Sequence, residues 1–159
     1  MIRPLFCDEL EKHWKTIRNE YESVKEEVLP WYQDWLNEQK KWFVYPIFSW
    51  PEGDSYPQTD KVPFTASLIK EHIPNHGAAG FSIMRAGAHI PPHEGLQANF
   101  LRCHLGIDIP EGNTALRVGD KVHCWENGKA FVFDDRLTHE AWNKTQEDRI
   151  ILLVDYAED

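Results

Sequence analysis

Hydrophobic positions change period once along this chain. In residues 8–28, Leu10, Trp14, Ile17, Tyr21, Val24 and Val28 recur at spacings of four and three, laying one apolar stripe along an otherwise charged segment. The stripe predicts a helix packed on a core. Pro30 ends that helix or begins the next, and Trp31 to Gln39 predicts a second short one. Trp42 to Trp50 is aromatic and β-branched and predicts a strand, followed by a turn at Pro51-Glu52-Gly53-Asp54. Residues 54–63 are polar with two prolines and predict a loop that could cover a site. Phe64 to Ile73 predicts a further helix.

From Gly80 onward the period is that of strands. Phe81 to Arg85 predicts one. Ala98 to Ile109 predicts a longer one, with Phe100, Arg102 and His104 on one face and Leu101, Cys103 and Leu105 on the other. Ala115 to Val118 and Lys121 to Trp125 are short strands joined by the hairpin signal Gly119-Asp120, and Ala130 to Phe133 is another strand. Ile150 to Val154 is a continuous apolar run, the pattern of a strand buried on both faces. Short strands with frequent turns behind a helical preface predict a mainly β jelly-roll sandwich. At 159 residues one domain is expected, with a helical and aromatic preface over residues 1–75 and the β core over 76–159.

The totals narrow the partners. A net charge of −9 argues against nucleic acid, which calls for a basic stripe, but not against a small anion held by one or two local arginines. Cys7, Cys103 and Cys124 are odd in number and contain no CxxC, so free thiols in a reducing compartment are expected. The first ten residues lack an apolar signal core, and no run approaches the ~18 apolar residues of a membrane span. A cytoplasmic protein without membrane contact is the expectation.

Two histidines carry the candidate chemistry. His93 lies in His89-Ile90-Pro91-Pro92-His93-Glu94-Gly95, where two prolines stiffen the approach. His139 follows Phe131-Val132-Phe133-Asp134-Asp135-Arg136-Leu137-Thr138. Each alone reads equally as a surface histidine beside a turn. Together, at strand edges and followed by Arg149, they read as a non-haem iron site. Two imidazoles can hold Fe(II) and leave positions open for a bidentate oxoacid and O2. A facial triad has a carboxylate two residues after its first histidine, and here that residue is Gly95. Arg149 enters a buried strand and needs a partner, either a structural carboxylate such as Asp134 or the distal carboxylate of a bound oxoacid. Ser82 is a candidate donor to that same carboxylate. Arg102 and His104 share a face and form either an anion site or a structurally satisfied buried pair. Asp135 is a candidate for orienting a water on the metal.

These residues stand in an order that resembles the aspartyl/asparaginyl β-hydroxylase family of Fe(II)- and 2-oxoglutarate-dependent oxygenases. The matching pieces include Ser82-Ile83-Met84, Pro92-His93-Glu94-Gly95, Arg102-x-His104-Leu105-Gly106, Trp125-Glu126-Asn127-Gly128-Lys129, His139-Glu140-x-Trp142-Asn143 and Arg149-x-x-x-x-Val154-Asp155. They cover Gly80 to Tyr156, about half the chain. The resemblance implies a double-stranded β-helix of the cupin-like kind with the N-terminal helices packed on it. It implies His93 and His139 as iron ligands, with Gly95 replacing the carboxylate as in the aspartyl hydroxylase branch. Ser82 and Arg149 are implied at the distal carboxylate of the co-substrate 2-oxoglutarate, with His104 nearby, and Arg102 at the metal-proximal carboxylate or the substrate. The lipid A hydroxylase branch has an Asp where Gly95 stands, along with membrane segments that this sequence lacks. Arg136 departs from the small Ser of the aspartyl hydroxylases.

The implied reaction is hydroxylation of an unactivated C–H in a small-molecule or peptide substrate, foremost the β-carbon of an Asp- or Asn-type side chain. Two other readings use the same residues. A cupin-like module could bind metal or a small acid without turnover, and a halogenase could place a halide in the position opened by Gly95.

Overall fold

The structure, a computed structural model, describes residues 1–158. Ten strands among these residues form two antiparallel sheets. They are β1 (Leu29–Pro30), β2 (Trp42–Phe48), β3 (His76–Met84), β4 (His89–His93), β5 (Phe100–Asp108), β6 (Thr114–Val118), β7 (Lys121–His123), β8 (Ala130–Phe133), β9 (His139–Asn143) and β10 (Arg149–Ala157). The larger sheet runs β1-β2-β3-β10-β5-β8 and the smaller β4-β9-β6-β7. Packed face to face, they make the double-stranded β-helix of the cupin type, with helices α1 (Phe6–Lys12), α2 (Trp14–Val24) and α3 (Pro63–His72) on the outside of the larger sheet. No helix among the described residues is long and apolar enough to cross a membrane.

Side-chain alternation divides the larger sheet between two cores. Its outer face presents Ala79, Phe81 and Ile83 of β3, Leu101, Cys103 and Leu105 of β5, and Ile150, Leu152 and Val154 of β10 to Leu10, Ile17, Tyr21 and Ile69 of the helices. Its inner face gives Met84, Phe133, Ile151 and Leu153 to a second core, closed by Ile90, Leu116, Val118 and Ala141 of the smaller sheet. β10 lies between β3 and β5 and is covered on both faces, which explains its uninterrupted apolar run. Inner-face positions not used for packing carry Ser82, Arg102, His104, Arg149 and Asp155, all between the sheets.

The local elements differ from the sequence reading in several places, among them the expected loop over 54–63, which holds a 3-10 helix at Pro57–Lys61. The helix expected over 8–28 breaks at His13, whose φ of −109° and ψ of 13° separate α1 from α2. The break lets α1 pack on β8 while α2 packs on β5. The helix expected over 31–39 is only a 3-10 turn at Asp34–Leu36, because Trp31 and Leu36 turn inward to the second core instead of forming a helical stripe. β3 starts at His76, ahead of the apolar run that marks it, since Gly77 and Gly80 carry no hydrophobic signal. His139 opens a strand of its own, β9, rather than closing the run before it.

Leu152 is fully buried against the helices. Leu152→Ala is expected to cost about 2–5 kcal/mol in urea unfolding. Val122→Ala, at a position 58% exposed, should stay within about 0.5 kcal/mol of the parent.

Candidate active site

Strand pairing brings the two histidines together. β4 and β9 pair so that His93 and His139 are direct cross-strand partners, although 46 residues separate them in sequence. Their ring centroids are 4.2 Å apart. Each ring is fixed in the same way. His93 Nδ1 lies 2.8 Å from the Pro91 carbonyl oxygen, and His139 Nδ1 lies 2.8 Å from that of Leu137. A carbonyl only accepts, so both Nδ1 atoms carry the proton and both Nε2 lone pairs stay bare. Nε2 of neither ring has a hydrogen-bond partner among the described residues. Burial, reinforced by the His93 and Arg102 charges, pushes His139 down to about 4. Burial also lowers His93. Both rings are therefore neutral near pH 7, the form that binds metal.

The small cavity that the two histidines line is also lined by donors. It has a volume of about 30 Å³ and is bounded by Ser82, His93, Arg102, His104, His139 and Arg149 among others. Arg149 is 2% exposed, and its Nη2 donates to the Ser82 carbonyl at 3.0 Å and to Ser82 Oγ at 2.9 Å. Its guanidinium lies 4.5 Å over the Trp125 ring, while its Nε has no partner. No carboxylate balances it, so burial alone pushes its pKa down to about 9. Ser82 Oγ also accepts from Trp42 Nε1 at 2.9 Å. With both lone pairs taken, its own O–H is free to donate. His104 Nδ1 accepts from Trp125 Nε1 at 3.1 Å, which puts the His104 proton on Nε2. Burial and the nearby Arg149 and Arg102 charges push His104 well below its ordinary value. Ser82, His104 and Arg149 therefore offer the cavity a hydroxyl, an imidazole N–H and a guanidinium, all donors, which suit an anion.

The other predicted residues take distinct places. Arg102 is the cross-strand neighbour of Asp155 and forms a two-pronged pair with it at 2.7 and 3.1 Å. Asp135 Oδ2 also lies 3.5 Å from Arg102 Nη2. The Asp135 carboxylate fills the space beside Gly95, where a Cβ would collide with it, while the Gly95 N–H donates to the Asp135 carbonyl at 2.7 Å. Asp134, the alternative partner for Arg149, instead binds Arg136 at 2.8 and 3.0 Å. Among the described residues no group of three His, Cys, Asp or Glu side chains is placed to hold a metal, so the two imidazoles stand without a carboxylate ligand. The arrangement fits a metal that keeps open positions and takes an anionic chelator.

Three residues here were given no role by the sequence reading. Trp42 and Trp125 fix the hydrogen-bonding roles of Ser82 and His104, and Asp155 neutralises Arg102. Period-two counting along β10 places Asp155 on the inner face with Arg149, a signal that was available.

Comparison with known proteins agrees with the fold. The class is a double-stranded β-helix of the cupin type. A prolyl-4-hydroxylase from Pseudomonas putida shares the fold with a TM-score of 0.61 and 13% identity, over 94% of this chain and 88% of that one. A Cupin_2 domain of an XRE family transcriptional regulator from Enterobacter cloacae aligns with a TM-score of 0.51 and 12% identity, over 75% and 99%.

Residues 11–159 match the sequence profile of the Aspartyl/Asparaginyl beta-hydroxylase family, and the chain belongs to that family of hydroxylases. It is 37% identical to an ornithine lipid ester-linked acyl 2-hydroxylase from Rhizobium tropici, over 93% of this chain and 56% of the relative. It is 33% identical to the aspartyl/asparaginyl beta-hydroxylase of Homo sapiens, over 92% and 20%. The chain thus spans between a fifth and just over half the length of these relatives.

Because folding depresses the His139 pKa from 6.5 to about 4, the unfolded chain binds more protons between these values. Stability is then full above about pH 6.5 and is lost as pH falls toward 4. The urea midpoint of metal-free protein should drop between pH 7 and pH 4.5, and less steeply in His139→Asn. Parallel pH profiles for the two proteins would contradict this account.

Proposed function

We propose that this protein is an Fe(II)- and 2-oxoglutarate-dependent oxygenase that hydroxylates a methylene carbon next to a carbonyl group. The observation that carries the reading is that one inner cavity is lined both by two imidazoles with bare Nε2 lone pairs and by three hydrogen-bond donors. His93 and His139 would hold the iron. Arg149 and Ser82 would grip the distal carboxylate of 2-oxoglutarate, with the His104 N–H beside them. Arg149 would there gain the counter-charge that the fold withholds.

Iron supplies the O2-activating chemistry when bound. The backbone carbonyls of Pro91 and Leu137 keep the Nε2 atoms presented. Trp42 and Trp125 keep the Ser82 and His104 protons directed away from themselves. Asp135, packed beside Gly95 and salt-bridged to Arg102, would orient a water near the position a third ligand takes elsewhere. Its negative charge there also disfavours a halide. The overall reaction converts R–CH2–C(=O)X, O2 and 2-oxoglutarate to R–CH(OH)–C(=O)X, succinate and CO2. One oxygen atom enters each organic product, and O2 takes two electrons from the C–H bond and two from the oxoacid.

Both reactions named for the relatives fit this scheme. The β-carbon of an aspartyl or asparaginyl side chain adjoins its carboxyl or amide carbon, and C2 of an acyl chain adjoins its ester carbonyl.

Anaerobic addition of Fe(II) and then 2-oxoglutarate to metal-free protein should produce the visible charge-transfer band of a chelated oxoacid. His139→Ala should lose the band. Arg149→Ala should keep it but weaken 2-oxoglutarate binding about 10- to 100-fold, matching a charged hydrogen bond of about 1.5–3 kcal/mol. Absence of the band in folded, iron-loaded protein would refute the assignment.

A further inference from the structure

A second and much larger cavity adjoins the inner one. It encloses about 690 Å³, within the range of small-molecule sites, and shares Trp42, Ser82, His93, Arg102 and Leu153 with its neighbour. Its floor comes from alternate residues of two paired strands, Trp42, Val44 and Pro46 of β2 against Ala78, Gly80 and Ser82 of β3. Small residues leave the middle of that floor empty. At Gly80 a Cβ would sit 2.7 Å from the Tyr45 carbonyl oxygen, so no side chain can fill the gap. The walls are aromatic. Trp31 and Trp42 stack at 3.9 Å with 6° between their planes, and Phe48, Trp50 and Tyr56 continue the lining.

The charges in this cavity decide between kinds of occupant. Among the described lining residues the sole Lys or Arg is Arg102, and Asp155 and Asp135 already flank it. Carboxylates outnumber the cation by one. An anionic side chain reaching the histidines would meet Asp135 and Asp155 with no unpaired cation in this cavity, Arg149 of the inner one being taken by 2-oxoglutarate in the reading above. A neutral carbonyl meets no such repulsion, and Arg102 Nη1 donates to no partner among the described residues. The mouth of the cavity is apolar as well. Leu29, Tyr32 and Leu96 line it while 53%, 70% and 55% exposed, and Trp35, 60% exposed, stands edge-on to His93 at 6.1 Å. Exposed apolar side chains gathered at one opening mark a surface that takes an apolar ligand.

We infer that this trench takes the hydrocarbon chain of a neutral acyl ester or amide, with its carbonyl at Arg102 and the adjoining methylene at the two-histidine centre. The inference rests on the oxygenase reading above and selects the acyl substrate within it. A chain of methylenes matches a lining of Trp, Tyr, Phe, Val, Leu and Pro side chains, where each buried methylene contributes about 0.8 kcal/mol.

Binding can be read without iron. A glycerol ester of 11,12-dibromotetradecanoic acid, used below its aggregation concentration, carries bromines that quench indole fluorescence. It should quench metal-free protein saturably. Unbrominated butanoyl, octanoyl and dodecanoyl esters should displace it with affinities rising by up to about fourfold per added methylene. Ala78→Trp, which plugs a partly exposed floor position, should weaken binding more than tenfold. Val44→Asp, which keeps the space but adds a charge, should do the same. With iron, 2-oxoglutarate and O2, mass spectrometry should then find one added oxygen at C2 of the acyl chain.

Absence of quenching, affinity indifferent to chain length, or unchanged binding in both variants would overturn the inference. So would stronger displacement by an aspartate-containing peptide than by the dodecanoyl ester. The two readings fail separately. A charge-transfer band without quenching leaves the oxygenase and removes the acyl chain, while quenching without the band leaves the trench and removes the oxygenase.

Discussion

β10 is covered on both faces, and its inner face begins and ends in charge. Arg149 and Asp155 bracket Ile151 and Leu153 on the side that faces the second sheet. A charge taken out of water must find a partner within the fold or be left at a cost of several kcal/mol. The chain treats the two ends differently. Asp155 meets Arg102 directly across the β5–β10 ladder, and the pair is closed. Arg149 meets only a carbonyl, a hydroxyl and the face of an indole, and its buried Nε meets nothing. The closed end anchors the sheet, and the open end holds free energy that a carboxylate ligand would release.

The surrounding groups follow from that incomplete end. Ser82 is drawn in as an acceptor for Arg149, and Trp42 takes its remaining lone pair. Trp125 lies under the guanidinium and at the same time sets the His104 tautomer. Each of these side chains is buried or nearly so, so the donor pattern is built into the packing and does not await a ligand to organise it. The histidine pair is equally preset, because the carbonyls that orient both rings belong to the residues two positions before them.

The larger features of this fold could be read from the sequence because they obey simple periods. The amphipathic stripe of the preface, the alternation of β5 and the apolar run of β10 each reflect burial on known faces. His93, His139, Ser82, Arg102, His104 and Arg149 could be picked out as polar residues at strand ends or on inner faces, and the structure gathers them around one cavity. Features that depend on distant partners could not. The break at His13 answers to two different strands beneath the helix. The missing helix at 31–39 reflects Trp31 stacking on Trp42, a contact with no local signature. Whether Arg102 was a free anion receptor or a paired residue hinged on Asp155, which lies 53 residues away. The trench is the extreme case, since it consists of what small residues leave out.

Gly95 and Asp135 occupy one shared volume. The carboxylate of one stands where the side chain of the other would begin, and a backbone hydrogen bond holds the two segments at that spacing. Neither position can therefore be considered in isolation. Converting this centre to one with a third protein ligand is not a single substitution at residue 95, since the incoming side chain would be evicted by residue 135 or would evict it. A viable route passes through loss or shortening of Asp135 first, and that step also strips Arg102 of one of its two counter-charges. In the oxygenase reading, the choice between two and three protein ligands would thus be locked by steric reciprocity, and the lock is tied through Arg102 to the charge balance of the neighbouring cavity.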